Sequence, residues 1–504
     1  MTRYAMVADL GRCVGCQTCT AACRQTSATP PGVQWRKVLD LEFGEYPDVQ
    51  RVFVPTGCQH CYDPPCMHVC PSTATRQRDD GIVTIDYDLC IGCGYCAVAC
   101  PYQARFKIDK PVFAHGDRPT ELENLQFDER RIGVAQKCTF CSDRIDDGVS
   151  RGLTPGLDPD ATPVCVNSCI AEALHFGDIE DPDSNVSRLL ANNDRFQMHG
   201  ELATDPGFHY LWNNHRNEPN IRFGSVIQKN WDWRAAGNLM FGGTGGSLMF
   251  VTALATFADS PSAVLSLLSL LVVGTGLGLV WLEIGRPWRF VNVFSNPRTS
   301  WMTREAGSAV VLFALALAGA GSGQPAVGTL AGLAGLAFLY CQARMLKAAK
   351  GVPAWRASAI VPLIVSTGLS EGTALLLLMV PLAGLTTNWP SYLLLALIVV
   401  RTVAWQRYRA ELAVADAPAA TLATLARIHA SMVFVGGALP ALLVVLALMM
   451  PDAASVSISL SAALVLLTGW HMKYSILTGA AHLQGFALGG PRGAASPPSN
   501  VYVR

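Results

Sequence analysis

The chain has 504 residues, and its 38 lysines and arginines balance 38 aspartates and glutamates. A net charge of zero gives no electrostatic footprint for nucleic acid, and the length exceeds that of one ordinary domain. Sixteen of the 17 cysteines precede residue 170, whereas nearly all long apolar runs follow residue 235, so a soluble, cysteine-dense first part and a bilayer-embedded second part are expected.

In chain order, the opening segment MTRYAMVADLGRC offers neither an apolar leader core nor a twin arginine before Cys13, so a secretory leader is not expected. Cys13, Cys16, Cys19 and Cys23 follow C-x2-C-x2-C-x3-C. RVFVP at 51–55 reads as a short strand. Cys58, Cys61, Cys66 and Cys70 follow C-x2-C-x4-C-x3-C and are closed by Pro71. GIVTID at 81–86 reads as another strand, after which Cys90, Cys93, Cys96 and Cys100 repeat the first spacing, closed by Pro101. The polar stretch 104–137 reads as a surface insertion. A split group ends the series: Cys138 and Cys141, then 23 residues, then Cys165 and Cys169.

Three thiolates from one short loop can hold three corners of a cubane when glycines let the backbone wrap closely. The fourth, after three more residues, points away to a second cluster. On this reading sixteen cysteines make four 4Fe–4S clusters. Disulfides would require an oxidising compartment, and zinc is the alternative for the split group. Spacing alone does not say which cysteine joins which cluster.

The phrases CQHCYDPPCMHVCPSTAT and CIGCGYCAVACPYQARF, within four groups in this order, resemble the iron–sulfur subunits of molybdopterin oxidoreductases typified by dimethyl sulfoxide reductase. That resemblance implies a pairing of group one with group four and of group two with group three. Cys13, Cys16, Cys19 and Cys169 would hold one cluster, and Cys138, Cys141, Cys165 and Cys23 the next. Cys58, Cys61, Cys66 and Cys100 would hold a third, and Cys90, Cys93, Cys96 and Cys70 the fourth. With no Walker loop and no dinucleotide fingerprint, the chain reads as an electron wire.

From residue 235, eight stretches are long enough to cross a hydrocarbon core, near 236–257, 262–283, 304–322, 326–345, 358–381, 389–406, 429–450 and 455–474. The expected fold is therefore an α+β ferredoxin-like domain at 1–204 binding four 4Fe–4S clusters, an interfacial linker at 205–234 bearing Trp212, Trp231 and Trp233, an all-α eight-helix transmembrane domain at 235–475, and a cytoplasmic tail at 476–504. LEIGRPWRFVNVFSNPRTSWMTREA at 282–306 is similar to the quinone-handling anchor subunits of the same reductases, which implies a fusion of two subunits. Arg286, Arg289, Arg298 and Arg304, then Arg344, Lys347, Lys350 and Arg356, then Arg401, Arg407, Arg409 and Arg427, and finally Lys473, Arg492 and Arg504 all fall on one side, and the opposite loops carry no lysine or arginine. That side is expected to be cytoplasmic, with the cluster domain on it.

Ionisable residues in or beside a bilayer are candidate functional groups. Glu283, Arg304, Glu305, His429 and His471 lie at the expected cytoplasmic edge, where a quinone (menaquinone or ubiquinone) would meet electrons and protons. Glu283 with Arg286 and Glu305 with Arg304 could instead be helix-end ion pairs. Glu371, inside span five, suggests a proton path, or else a carboxyl satisfied by Ser366, Thr367 or Ser370. Cys341 reads as an apolar filler, and no haem is expected, since only His429 and His471 could pair across spans.

The resemblance implies a catalytic partner subunit carrying bis-molybdopterin guanine dinucleotide, lipid and quinone contacts, and room for a higher oligomer of the complex. Phenylacetyl-CoA and sulfite are the candidate substrates, partly because GEYPDVQRVFVP resembles phenylacetyl-CoA:acceptor oxidoreductases. The alternatives are quinol-driven reduction of sulfoxide, polysulfide or tetrathionate, a hydrogenase electron-transfer module, and an ion-translocating membrane module.

Overall fold

The computed structural model describes residues 2–212, 221–255, 263–383, 388–415, 417–450, 452, 454–488 and 502–503. Contacts divide the chain into two compact units: Met1–Val226 with Gln484–Arg504, and Ile227–Leu483.

In the first unit, β1 (Tyr4–Asp9) has five successive buried residues, the pattern of a strand covered on both faces. A long hairpin follows: β2 (Arg36–Glu45) pairs antiparallel with β3 (Asp48–Gly57), from Arg36↔Gly57 to Glu45↔Asp48. The strand expected at 51–55 lies within β3, and the one expected at 81–86 is Val83–Ile85, paired with Thr75–Gln77. β4 (Leu174–Asp178) pairs antiparallel with β1, and β5 (Phe208–Leu211) pairs with β1 in parallel on its other side. Of the 104–137 stretch, Phe106–Lys107 pairs with Ala135–Gln136, and the helix Glu121–Gln126 between them buries no residue.

The division between units differs from the expected boundaries. β5 lies inside the central sheet, with Arg195–Phe196 paired on its far side, and Trp212 beside it stands edge-on to Phe43 at 6.5 Å within the same core, so residues 205–212 belong to the cysteine-bearing unit. Trp231 instead stacks on Trp355 in the second unit. The chain also returns after its last helix: Phe486–Leu488 pairs with Ile221–Phe223, and Tyr502–Val503 pairs with Leu41 and Glu42. Arg492 and Arg504 lie outside the described residues.

In the second unit, seven helices among the described residues are long and apolar enough to cross a bilayer: Ala263–Glu283, Trp301–Ser322, Pro325–Ala348, Ile360–Val380, Trp389–Val414, Ala419–Met449 and Ala454–Gly479. The first expected span is helical from Trp233 to Ala255, but a π-helical segment, Asn238–Gly242, divides it. Residues 256–262, at the expected end of that span and start of the next, lie outside the described residues. A second π segment, Ser431–Ala438, interrupts the Ala419–Met449 helix, and a third, Ser475–Gly479, ends the last one; such segments gather at functional positions. Helices here approach at small residues, as membrane bundles do: a side chain at Gly335 would meet the backbone carbonyl of Gly246.

Candidate functional site: thiol quartets and buried polar groups

Each cysteine group includes a short helix. α1 (Thr18–Ser27) carries Cys19 and Cys23, α2 (Pro65–His68) carries Cys66, α3 (Tyr95–Ala99) carries Cys96, and α4 (Val164–Asn167) carries Cys165. The third thiol of each group thus sits on a helix, and the fourth follows four residues later, about one turn on. Before α3 the loop must reverse tightly, and Gly92 and Gly94 both take φ of 71°, a conformation that costs glycine little. Cys141 takes a positive φ of 55° without that freedom.

The fold brings the thiols together as quartets. Cys13 neighbours Cys16 and Cys169, and Cys19 neighbours Cys13; these four residues line one cavity with Gln17 and Val38. Cys23 neighbours Cys141 and Cys165, and Cys138 neighbours Cys23 and Cys165. Cys61 is surrounded by Cys58, Cys66 and Cys100, and Cys93 by Cys96, Cys70 and Cys90. The quartets also follow one another in a row, through Cys19 to Cys165, Cys138 to Cys58, and Cys66 to Cys96. Among the described residues no three His, Cys, Asp or Glu side chains converge as a single-ion site.

Burial pushes the Cys23 and Cys100 thiols up to about 12, and Cys19 and Cys141 up to about 11. Thiols so enclosed become thiolates only beside compensating positive charge, which coordinated iron supplies. The donor set fits iron–sulfur clusters. Cys16 is exposed, and the Thr18 hydroxyl, hydrogen-bonded to it, lowers its thiol instead.

In the second unit, Glu305 Oε1 accepts from Asn238 Nδ2 at 3.0 Å and Gln342 Nε2 at 3.1 Å. Arg304 turns away, donating to the Pro297 and Arg298 carbonyls, so the Glu305–Arg304 ion pair is not formed. Glu283, also buried, accepts from the Asp232 backbone N–H at 3.0 Å. His429 Nδ1 accepts from Trp405 Nε1 at 3.1 Å, and its helix begins at Ala419, ten residues before it, rather than at 429. His471 is exposed.

Glu371 is fully buried, and its partners are not the nearby hydroxyls. Ser366 and Ser370 donate to backbone carbonyls, while Glu371 Oε2 accepts from Lys473 Nζ at 2.5 Å and Thr244 Oγ1 at 2.8 Å. Trp470 Nε1 donates to the same Thr244 oxygen at 3.0 Å. Glu371 Oε1 has no hydrogen-bond partner among the described residues. Lys473 and Arg401, expected in loops, are both enclosed in helices. Arg401 donates to the Val465 carbonyl and to Thr468 Oγ1. The sequence held a signal for each: LIVV precedes Arg401 and TVAW follows it, and the apolar run continues past Lys473 as YSILTGAA.

An iron–sulfur domain joined to bilayer-length apolar helices defines a membrane-anchored electron-transfer protein. Residues 49–115 match the family described as 4Fe-4S dicluster domain. The chain is 42% identical over 225 residues to the iron–sulfur subunit of a putative dimethyl sulfoxide reductase of Halobacterium salinarum, a match covering 42% of this chain and 79% of the relative. It is 39% identical to a selenate reductase subunit of Mesobacillus selenatarsenatis, covering 42% of this chain and 72% of the relative. It is 37% identical to a sulfite dehydrogenase subunit of Allochromatium vinosum, covering 42% and 83%. The chain belongs to the family of iron–sulfur subunits of dimethyl sulfoxide reductase-type molybdopterin oxidoreductases.

Proposed function

We propose that this chain relays electrons between a molybdopterin catalytic subunit and the membrane quinone pool. The observation that carries the reading is a row of four thiol quartets in a chain that continues into seven bilayer-length apolar helices. When bound, four 4Fe–4S clusters supply one-electron carriers. Cys13, Cys16, Cys19 and Cys169 hold the first, and Cys23, Cys138, Cys141 and Cys165 the second. Cys58, Cys61, Cys66 and Cys100 hold the third, and Cys70, Cys90, Cys93 and Cys96 the fourth.

Glu283, Arg304, Glu305, His429 and His471 are the quinone-site and proton-relay residues. Glu305 supports this best: its carboxyl is held by two amides, so it can take or release a proton without breaking an ion pair. The remaining loop cations favour a cytoplasmic cluster domain even with Arg401 and Lys473 removed from the count. The sulfite dehydrogenase relative supports substrate oxidation that feeds quinone, with sulfite or phenylacetyl-CoA as substrate; reversed flow would serve sulfoxide, polysulfide or tetrathionate reduction.

A second reading, proton movement coupled to quinone chemistry, is favoured by the enclosed Glu371–Lys473 pair and the unpartnered Glu371 Oε1. Metal analysis of the complex purified without oxygen tests the main reading, which expects about sixteen irons in this chain and molybdenum in a co-purifying large subunit. Nickel in place of molybdenum, or far less iron, overturns it.

A further inference from the structure

Three cations are buried in the cysteine-bearing unit, and none of them meets a carboxylate among the described residues. Arg36, at the head of β2, is 1% exposed. Its Nη2 donates to Met6 Sδ at 2.9 Å, its guanidinium lies 5.0 Å from the Phe208 ring centre, and its Nε and Nη1 have no partner among the described residues. The chargeable groups that act on it are Cys165, Cys138, Cys19 and Cys23, from the first two quartets. Arg105 donates to Thr75 Oγ1 and to Cys66 Sγ, both at 3.0 Å. Cys66, Cys96, Cys58 and Cys100, from the last two quartets, act on it. Lys137 donates to the carbonyls of Val83 and Cys138, and it is acted on by Cys58, Cys138 and Cys66, from the middle two.

Local folding forces these charges together. Arg105 and Lys137 lie one step beyond the Phe106↔Gln136 pair of a two-stranded ladder, which sets them opposite each other. His60, near Lys137 and Arg36, stacks at 3.6 Å on Phe140 and accepts at Nδ1 from the Val83 backbone N–H. Enclosed like charges repel, and a buried charge without a counter-ion is strongly unfavourable. Thiolates carrying reducible iron are the anions that this arrangement can balance.

We propose that Arg36, Lys137 and Arg105 are junction cations, one between each successive pair of clusters, which raise the reduction potentials of the clusters they separate. Each one-electron reduction adds one negative charge, and a fixed cation nearby favours that state. A cation shared by two neighbours acts on both, so an electron moving across a junction stays close to the same positive charge. The inference rests on the four-cluster reading.

The test is a redox titration of the intact complex followed by electron paramagnetic resonance. The unaltered complex should show four clusters with full iron; if it does not, the four-cluster reading fails before the junctions are tested. Arg36→Gln should lower the potentials of the first two clusters, and Arg105→Gln those of the last two. We expect at least a tenfold change in each reduction equilibrium, 59 mV for one electron. Arg36→Lys and Arg105→Lys, which keep the charge, should hold iron and shift far less. Equal shifts in all four clusters, no shift with full iron retained, or lysine variants that behave like glutamine would each overturn the proposal. If a glutamine variant loses its iron, the lysine variant at that position decides: failure to restore both iron and potential overturns it.

Discussion

The two units bury positive charge in different company. In the cysteine-bearing unit, Arg36, Lys137 and Arg105 are surrounded by sulfur, carbonyl oxygens and one hydroxyl. In the apolar unit, Lys473 faces the Glu371 carboxylate at 2.5 Å, both fully enclosed. A carboxylate supplies its negative charge on its own, whereas buried cysteines become anionic when iron is bound. The first unit therefore leaves its buried cations to be balanced by a cofactor, whereas in the second Lys473 has its own counter-ion, although Arg401 there meets only a carbonyl, a hydroxyl and the Met432 sulfur among the described residues.

Breaking a quartet should have the largest effect. Cys138→Ala removes a thiol that neighbours both Cys23 and Cys165 and should delete one cluster, about four irons of sixteen, with loss of one paramagnetic signal. Retention of full iron would detach Cys138 from its quartet. On the other side of the comparison, Glu371→Gln leaves Lys473 enclosed without its anion and should cost about 3 to 5 kcal/mol in detergent unfolding. Adding Lys473→Met should recover most of that loss; a double variant as unstable as the single one would deny the pairing.

A smaller effect distinguishes the units by pH. Burial, aided by Arg195, lowers His209 to about 4, below its ordinary range near 6.5. The unfolded chain takes up that proton first as the pH falls, so the stability tied to neutral His209 is complete above about 6.5 and is lost progressively toward about 4, at most about 3 kcal/mol. His209→Gln should flatten this limb in denaturant titrations of the intact protein; an unchanged limb would place its origin elsewhere. The smallest effect should come from the seventeenth cysteine. Cys341, buried in the Pro325–Ala348 helix near Ser308, should on replacement by alanine leave iron content unchanged and cost about 1 kcal/mol or less.

Much of this was legible in the sequence where one segment carries the whole signal. The first three thiol groups are local, each lying within 11 to 13 residues, and the apolar spans are set by length and hydropathy. Groups whose meaning depends on distant partners were not legible. Lys473 and Arg401 read as loop cations because a charge near the end of an apolar run ordinarily marks the bilayer edge; their enclosure depends on Glu371 and Thr468 from other helices. Asn238 and Gln342, which hold Glu305, are polar residues in apolar runs with no local pattern to mark them. The return of Phe486–Leu488 to pair with Ile221–Phe223 is likewise a three-residue strand far from its partner in sequence, too short to show a period.

The central claim, that thiol-held iron exchanges electrons with a membrane quinone, is tested most directly in vesicles containing the complex. The clusters are reduced without oxygen, a menaquinone or ubiquinone analogue is added, and the reduced-cluster resonance is followed against quinol formed. The account predicts that the resonance disappears as quinol appears, one quinol for every two electrons lost. Clusters that stay reduced beside either quinone, with full iron present, would contradict it.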